Sequence, residues 1–515
     1  MAPRPRFAAQ ALGPVVRSFT TTRSPGAALP PLLSHATLDP STSSVNGWVR
    51  SIRKQKNVSF AVISDSTTVG GTQVVLPKGL EQGLTVGCSA SLLGDWVDSP
   101  KSGSGKEFKV SKVTWIGESD AETYPIPNTK QGIPLPLLRH NAHLRSRKQD
   151  MASVLNIRSE MHWAMTNHFR NEGFVKVEAP IVTSSDCEGG GEVFKVVDAT
   201  SEELPPNPSA SSAPSSVSET TSTPTPRAPL PSRYLSVSSQ LHLEAIASSH
   251  PRVYAFSPCF RAEKSDTARH LQEFWMLEAE LAFLSHDPAE ALEQVMAVTE
   301  ESVRAIATRV SEMPEFKHLA TGKNGVDVGL ADRTRTLLGE RPYARMTYTD
   351  AIEHLARADA SRSAAERFTF TPQWGASLQT EHEKYLAEEL VKGPVFVTDY
   401  PTPLKPFYML RNPDEHEHAR RPATTACFDL LVPQLGELAG GSLRTHSSAE
   451  LLAAIAENPL MKRDDYDWYL DLRKYGTTRH GGFGLGWERL VGLLTGMRNV
   501  RECIAFPRAG EGSRF

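Results

Sequence analysis

Between Ser44 and Gly117, apolar and polar positions alternate in short runs: SVNGWVRSIRKQKNVSFAVISDST, then TQVVLP, SASLLGDWV and EFKVSKVTWIG, with Gly and Ser turns between them. A period of two over such short runs predicts β-strands, and several of them in one segment predict a small closed barrel. The period then changes. From Arg147 to Asn171 the residues Val154, Ile157, Met161, Met165 and Phe169 fall near one helical face, and Gly173 ends the run. FVKVEAPIV reads as a strand, with Pro180 at an edge or at the end of the pairing. Residues 286–312 and parts of 346–358 and 379–392 predict helices, while PVFVTDYP and ACFDLLVP predict strands.

Two stretches carry no such period. TYPIPNTKQGIPLP, residues 123–136, is proline-rich and reads as a linker. Residues 203–232 are dominated by Pro, Ser and Thr and hold too little apolar surface to order themselves. They separate two strand-like pieces, GEVFKVV and RYLSVSS, so the expectation is a disordered insertion in a hairpin. The resulting division is 1–38, a barrel domain at 39–122, a linker or hinge at 123–146, and a second domain at 147–515.

Composition narrows the class. A chain of 515 residues with net charge -3 fits a globular protein of two or three domains, with no overall electrostatic push toward nucleic acid. The five cysteines show neither a CxxC pair nor a Cys/His zinc spacing, which predicts a reducing compartment and no structural zinc. No apolar run is long enough to span a membrane. Residues 1–38 hold Arg4, Arg6, Arg17 and Arg23 and no acidic residue, the composition of an organelle transit segment, mitochondrial ahead of plastid.

Candidate chemistry lies in four places. Arg50, Arg53, Lys54 and Lys56 in the first hairpin, with Phe60 in the next strand, fit a barrel edge that binds single-stranded nucleic acid; a solvated hairpin with Phe60 in the core fits equally. In FRAEKSDTARHLQEFWMLEAELAF, Arg261 and Glu263 share a face, and Phe274, Met276, Glu278 and Glu280 share another. Opposite them Trp275, Leu277, Ala279, Leu281 and Phe283 form a core face. Carboxylates on a sheet face need a cationic or metal-bearing ligand, and Arg261 supplies a planar donor for phosphate or carboxylate. In HGGFGLGWERL, Gly482, Gly484 and Gly486 leave one strand face bare for a flat ring, and Arg489 follows in the first helical turn. In FDLLVPQLGELAGGSLR, Asp429 and Glu437 are candidate ligands of a hard cation such as Mg²⁺, and Arg444 follows what reads as a Gly-Gly turn.

Taken together, these segments resemble a class II aminoacyl-tRNA synthetase of the subclass that loads Asp, Asn and Lys. The resemblance spans about residues 44–508 and is carried by FVKVEAPIV, by FRAE with RHLQEF, and by GFGLGWERL with IAFPR. It implies an α+β fold: an N-terminal OB-fold β-barrel that reads the anticodon, and a catalytic domain with an antiparallel sheet flanked by helices. It also implies a homodimer built on the first of these motifs. For ATP it implies Arg261 at the α-phosphate, Glu263 at the adenine amino group, His270 and Leu271 along the nucleotide, Phe274 under the base, Gly486 giving room, Arg489 at the γ-phosphate, and Asp429 with Glu437 holding Mg²⁺. Glu188, Gln240 and Glu278 would surround the α-amino group of the amino acid, Arg444 would face its side chain, and Phe60 with Gln73, beside Arg50, would meet the anticodon.

Within the subclass, SSDCEGGGEVF, SVSSQLHLEAI and DLLVPQLGELAGGSLR are most similar to the members that load asparagine. Members that load aspartate carry a lysine where this chain has Leu243, followed by Glu244, and a glutamate would accept from a carboxamide but repel a carboxylate. The expectation is therefore L-asparagine, tRNA(Asn) and ATP as substrates, in the mitochondrial matrix. An aspartate-loading enzyme and a catalytically silent relative are the alternatives, and the presence of both Arg261 and Arg489 argues against the latter.

Overall fold

The computed structural model describes residues 31–36, 43–99, 105–126, 133–184, 187, 193–197, 233–262, 267–321, 329–413 and 423–508. The chain divides into two units, Met1–Tyr124 and Pro125–Phe515. The insertion expected at 203–232 lies outside the described residues, as does most of 1–38. Among the described residues no helix is long and apolar enough to cross a membrane.

In the first unit, β1 (Ser44–Lys54), β2 (Val58–Ser64), β3 (Thr72–Pro77), β4 (Ser89–Asp98) and β5 (Lys106–Gly117) close into a barrel in the order β1-β2-β3-β5-β4, an OB-fold-like arrangement. Alternation places Val45, Ala61, Ile63, Val74, Leu76, Leu92, Phe108 and Val110 inside. Leu33, inside the stretch expected to be a transit segment, is 1% exposed in this core, and its N–H donates to Asp65 Oδ2 at 2.8 Å. The packing of the barrel therefore begins ahead of residue 39.

The second unit is built on an eight-stranded sheet. Its strands are β6 (Val175–Lys176), β10 (Arg252–Phe260), β11 (Glu273–Ala282), β12 (Ala344–Thr347), β13 (Val395–Thr398), β14 (Cys427–Val432), β15 (Gly436–Leu443) and β16 (His480–Gly486). The order is β12-β13-β14-β15-β16-β11-β10-β6. The pairings from β13 to β10 are antiparallel as expected, but both edge pairs, β12 with β13 and β6 with β10, are parallel. A smaller sheet joins β7 (Val182–Thr183), β8 (Lys195–Val196) and β9 (Arg233–Leu235) in the order β7-β9-β8. The antiparallel pairing of β8 with β9 brings together the two strands that flank the insertion.

Helices α1 (Gln149–Asn171), α2 (Gln240–Ala247), α3 (Pro288–Glu312), α4 (Thr380–Lys384), α5 (Asp467–Lys474) and α6 (Trp487–Thr495) flank the sheet. α3 starts where Asp287 accepts from the N–H groups of Ala289 and Glu290, with Pro288 in the first turn. Val154, Ile157, Met161, Met165 and Phe169 of α1 meet Leu277, Ala279, Leu281, Phe483, Leu485 and Trp487 in one core.

Three local expectations change. FVKVEAPIV forms two short strands rather than one, broken around Pro180. Phe283 is not on the core face: it lies past the end of β11 with φ of 58° and is 77% exposed. Residues 135–145, taken as linker, form two short helices, and Arg145 is 1% exposed, its Nη2 donating to the carbonyl of Arg501 at 2.9 Å.

The glycine face of β16 is set by its neighbours. Gly482 lies opposite Glu280 on β11 and Ser442 on β15, and a Cβ there would fall 2.1 Å from the Ala279 carbonyl oxygen. A Cβ at Gly484 would press only on the flexible end of Met276, at 3.1 Å, with Glu278 Cγ in ordinary contact at 3.8 Å. Gly482→Ala is expected to destabilise the second unit by about 3 kcal/mol in urea unfolding, and Gly484→Ala by less than about 1 kcal/mol. Equal losses at the two positions would contradict this account.

Candidate functional site

Two strand ends and a helix start converge on one cleft. Arg261 follows β10, Phe274 opens β11, and the Arg261 guanidinium lies 5.5 Å from the Phe274 ring centroid. β16 supplies Gly484 and Gly486 as floor, and α6 then turns Arg489 toward β15. There Arg489 Nη1 donates to the carbonyl oxygen of Glu437 at 2.9 Å and to its Oε2 at 3.0 Å. The cleft encloses about 630 Å³ including its open mouth, and its lining contains Arg261, His270, Leu271, Phe274, Glu437, Gly486 and Arg489. His270 Nδ1 lies 2.7 Å from the hydroxyl of Thr267. Glu263 and Glu188 lie outside the described residues.

The carboxylates at the far wall come with their own cations. Burial would raise the pKa of Glu437, but Arg489 and Lys405 outweigh it and hold the group at about 2. Asp429 accepts from Lys405 Nζ at 2.8 Å on each oxygen, and Lys405 also sits 3.9 Å from the Tyr400 ring centroid. Burial raises the pKa of Asp429, with Lys405 opposing. A Cβ on Gly440 would lie 3.3 Å from Asp429 Oδ1 and 3.7 Å from Glu437 Oε1, so the two carboxylates flank one bare spot on β15. Two carboxylates beside a cleft lined by Arg261 and Arg489 fit a Mg²⁺ ion, which takes few protein ligands. Lys405 makes Asp429 the more heavily engaged of the two.

Along the same face of β11, past the Met276 that lines the cleft, lies a buried polar network. Glu278 is 2% exposed and accepts from the N–H of Ser239 at 2.9 and 3.1 Å and from the Ser238 hydroxyl. Burial pushes its pKa up, while these donors and Arg261 oppose the rise. Two residues on, Glu280 is fully buried and takes Arg444 Nε at 3.2 Å and Nη2 at 2.9 Å. Gln240 at the start of α2 bridges the network: its Oε1 accepts from Arg444 at 2.7 Å, and its Nε2 donates to Glu280 at 3.1 Å and Glu244 at 3.0 Å. Glu244 Oε2 further accepts from Arg473 at 2.6 Å and from the Tyr469 hydroxyl at 2.7 Å, and lies 3.0 Å from His480 Nε2. Against the penalty of burial, Arg473 and His480 hold the pKa of Glu244 well below the usual carboxylate range. Glu244, Glu280 and His480 are the one group among the described residues with metal-ligand spacing, but Arg444 and Arg473 already neutralise its carboxylates.

One sequence reading is corrected here. Arg444 does not follow a turn: Gly440 and Gly441 are inside β15, and Arg444 is 2% exposed. Leu243 does not face this network; it is fully buried with Ala247, Val253 and Ala255. Sequence reading placed Glu280 on the ligand-facing side of β11 without naming its partner, and assigned no role to Arg473, Tyr469, His480 or Lys405. The alternation of Glu278 with Glu280 and the i, i+4 spacing of Tyr469 and Arg473 in α5 were the available signals.

On the barrel, Phe60 pairs with Val75, and Val62 with Gln73, while Ala61, Ile63, Val74 and Leu76 point inward. Phe60 and Gln73 therefore share the outer face of β2 and β3, and the reading of Phe60 as a core residue is excluded. Gln73 Nε2 donates to Glu107 at 2.9 Å. Arg50 sits at a bulge in β1, with Nη2 3.5 Å from the Ser66 hydroxyl.

The family model of tRNA synthetases class II (D, K and N) matches residues 136–510. The asparagine–tRNA ligase of Desulfotalea psychrophila is 39% identical over 474 residues, 90% of this chain and 94% of that protein. The asparaginyl-tRNA synthetase of Mus musculus is 39% identical over 466 residues, 90% of this chain and 89% of that protein. The crystal structure of asparaginyl-tRNA synthetase from Pyrococcus horikoshii complexed with asparaginyl-adenylate has a TM-score of 0.73 and 30% identity, covering 91% of this chain and 95% of that one.

Proposed function

The chain belongs to the class II tRNA synthetases of the D, K and N group, and from that premise we infer that it is an asparagine–tRNA ligase serving mitochondrial translation. The observation that carries the reading is the single face of β11. Phe274 and Met276 line the cleft, Glu278 faces two serines and Arg261, and Glu280 anchors Arg444. From Phe274 to Glu280 is about 20 Å at roughly 3.4 Å per residue, the reach of a nucleotide joined to an amino acid.

On this reading Phe274 stacks the adenine, Arg261 holds the α-phosphate, and Glu278 takes the α-amino group. A carboxylate oxygen of asparagine forms a bond to the α-phosphorus while the bond from phosphorus to the α,β-bridging oxygen breaks, giving asparaginyl-adenylate and pyrophosphate. Arg261 and Arg489 meet the charge that develops on the phosphate oxygens, so no side-chain nucleophile is required. Glu437 and Asp429 would hold Mg²⁺, which supplies further charge neutralisation at the phosphates. The 3′-terminal ribose hydroxyl of tRNA(Asn) then attacks the adenylate carbonyl and AMP leaves. The network around Arg444 offers both a donor and the carboxylates of Glu244 and Glu280. The donor serves a carboxamide oxygen, while the negative charge of Glu244 and Glu280 repels a carboxylate.

Two finer points rest on surface and composition. Trp163, Val175, Ile181 and Val182 are exposed at 60%, 45%, 45% and 45% around the first motif, an apolar face that a second copy of the chain would cover. The basic, acid-free N-terminus supports mitochondrial import, with cleavage ahead of Leu33 because Leu33 belongs to the barrel core.

ATP–pyrophosphate exchange should depend on asparagine and fall by at least about 10³-fold in Arg489→Ala with the circular dichroism spectrum unchanged. Exchange driven by aspartate would sink the assignment. Glu278 must be ionised to hold an ammonium group, and its raised pKa moves protonation to higher pH than for an ordinary carboxylate. The KM for asparagine should therefore rise as pH falls, beginning above the ordinary glutamate range, and Glu278→Gln should show a high KM without this acid limb. A pH-independent KM in the parent chain would remove Glu278 from the role. Mature protein isolated from mitochondria should begin ahead of Leu33 and sediment as a dimer, and a cytosolic, monomeric protein would contradict both finer points.

A further inference from the structure

One largely buried carboxylate outside the residues assigned above touches two walls of the cleft at once. Glu383 stands in α4 with its side chain 13% exposed. Its Oε2 accepts from Arg269 Nη1 at 3.2 Å and Nη2 at 3.3 Å, and from the backbone N–H of Glu437 at 3.2 Å. Arg269 lines the cleft from the β10–β11 loop, and Glu437 lines it from β15. The contact is closely built. Gly436 has φ of 82°, and a Cβ there would lie 2.3 Å from Glu383 Oε2, so only glycine admits the carboxylate.

The helix that carries Glu383 is held from behind. Gln379 and His382 form a reciprocal cap, and buried His382 places Nε2 2.8 Å from the Phe370 carbonyl oxygen. α4 then runs directly into a π-helical turn, Tyr385–Leu390, a distortion that is frequent at functional sites. Burial pushes the Glu383 pKa up against the pull of Arg269, and nearby Glu437 adds to the rise. A carboxylate set among other carboxylates at this depth is a poor device for stability alone.

We propose that Glu383 is a positioning residue for the nucleotide: by tying Arg269 and the Glu437 peptide to one oxygen, it fixes the two sides of the phosphate end of the cleft before ATP enters. The proposal rests on the reading of that cleft as the ATP site. Glu383 touches no substrate. Its loss acts through Arg269 and Glu437, and so on nucleotide affinity rather than on asparagine.

The test is titration calorimetry of the full chain with the non-hydrolysable analogue β,γ-imido-ATP, beside exchange kinetics, for Glu383→Ala, Glu383→Gln, Arg269→Ala and the Glu383→Ala/Arg269→Ala pair. Glu383→Ala should weaken the analogue and raise the KM for ATP about 10- to 100-fold, the effect of one charge-assisted hydrogen bond, with the KM for asparagine unchanged. Glu383→Gln keeps the shape and one acceptor and should recover part of the loss. The double variant should bind no more weakly than the worse single one, because both residues act through one contact. Losses that multiply, or a KM for asparagine that rises in step with that for ATP as the melting temperature falls, would overturn the proposal. Should Glu383→Ala not fold, the isosteric Glu383→Gln carries the same comparison. Analogue binding by the parent chain without asparagine-dependent exchange would sink the asparagine reading and leave the proposal to be decided by the calorimetry. No analogue binding by the parent would overturn both.

Discussion

Glu280 and Arg444 form the contact on which the catalytic unit turns. Both side chains are almost fully buried, and two hydrogen bonds join them across β11 and β15, with β16 between. That separation explains the glycines: a side chain on Gly482 would fall 2.2 Å from Glu280 Oε2 and close the path. An ion pair this deep adds little net stability over an apolar packing, while loss of one partner leaves a buried charge that costs about 3–5 kcal/mol. A fixed array of donors and acceptors accounts for the pair better than stability does. Gln240, Glu244, Arg473 and Tyr469 extend that array, and each engages a charged or polar neighbour within 3.1 Å.

The same logic runs out to the cleft beside β16. Arg489 with Glu437, Lys405 with Asp429 and Arg269 with Glu383 are three cation–carboxylate pairs side by side. Glu437 raises the pKa of Asp429 and of Glu383, Asp429 adds to the rise at Glu383, and each cation lowers that of its partner. On the proposed reading, a triphosphate entering this cleft meets arginines already aligned, at the cost of competing with their carboxylates. Preorganised donors are worth more than mobile ones because no reorganisation is needed as charge develops.

Period and spacing made the strands of the barrel legible, as well as the two-faced β11, the bare face of β16 and the amphipathic α1. Each is a local property, set by which side chains alternate within a dozen residues. The partners were not legible. Glu244 meets Arg473 across 229 positions of sequence and Arg444 meets Gln240 across 204, and no local pattern encodes such a pairing. Glu383 was invisible for a further reason: helical EHEK reads as a solvated charged face unless the glycine at 436 is known to lie beneath it. Local reading also went wrong where tertiary context overrode propensity. Gly440 and Gly441 look like a turn but lie within a strand, because the cleft and Phe428 need the space their side chains would fill.

On the proposed reading, selection between two nearly isosteric amino acids is the hardest demand on this site, and the network explains how a rigid answer is available. Sequence alone suggested that Glu244 discriminates by direct acceptance, yet its Oε2 is already occupied by Arg473 and Tyr469, with His480 beside it. What Glu244 does to the pocket is electrostatic and positional. It stays ionised, it orients Gln240 through Oε1, and Gln240 in turn shares Arg444 with Glu280. A donor shared in this way satisfies a carboxamide oxygen without being strong enough to draw in a second carboxylate past Glu280. Discrimination then resides in the whole array rather than in one residue, and altering any member changes the donor strength of Arg444.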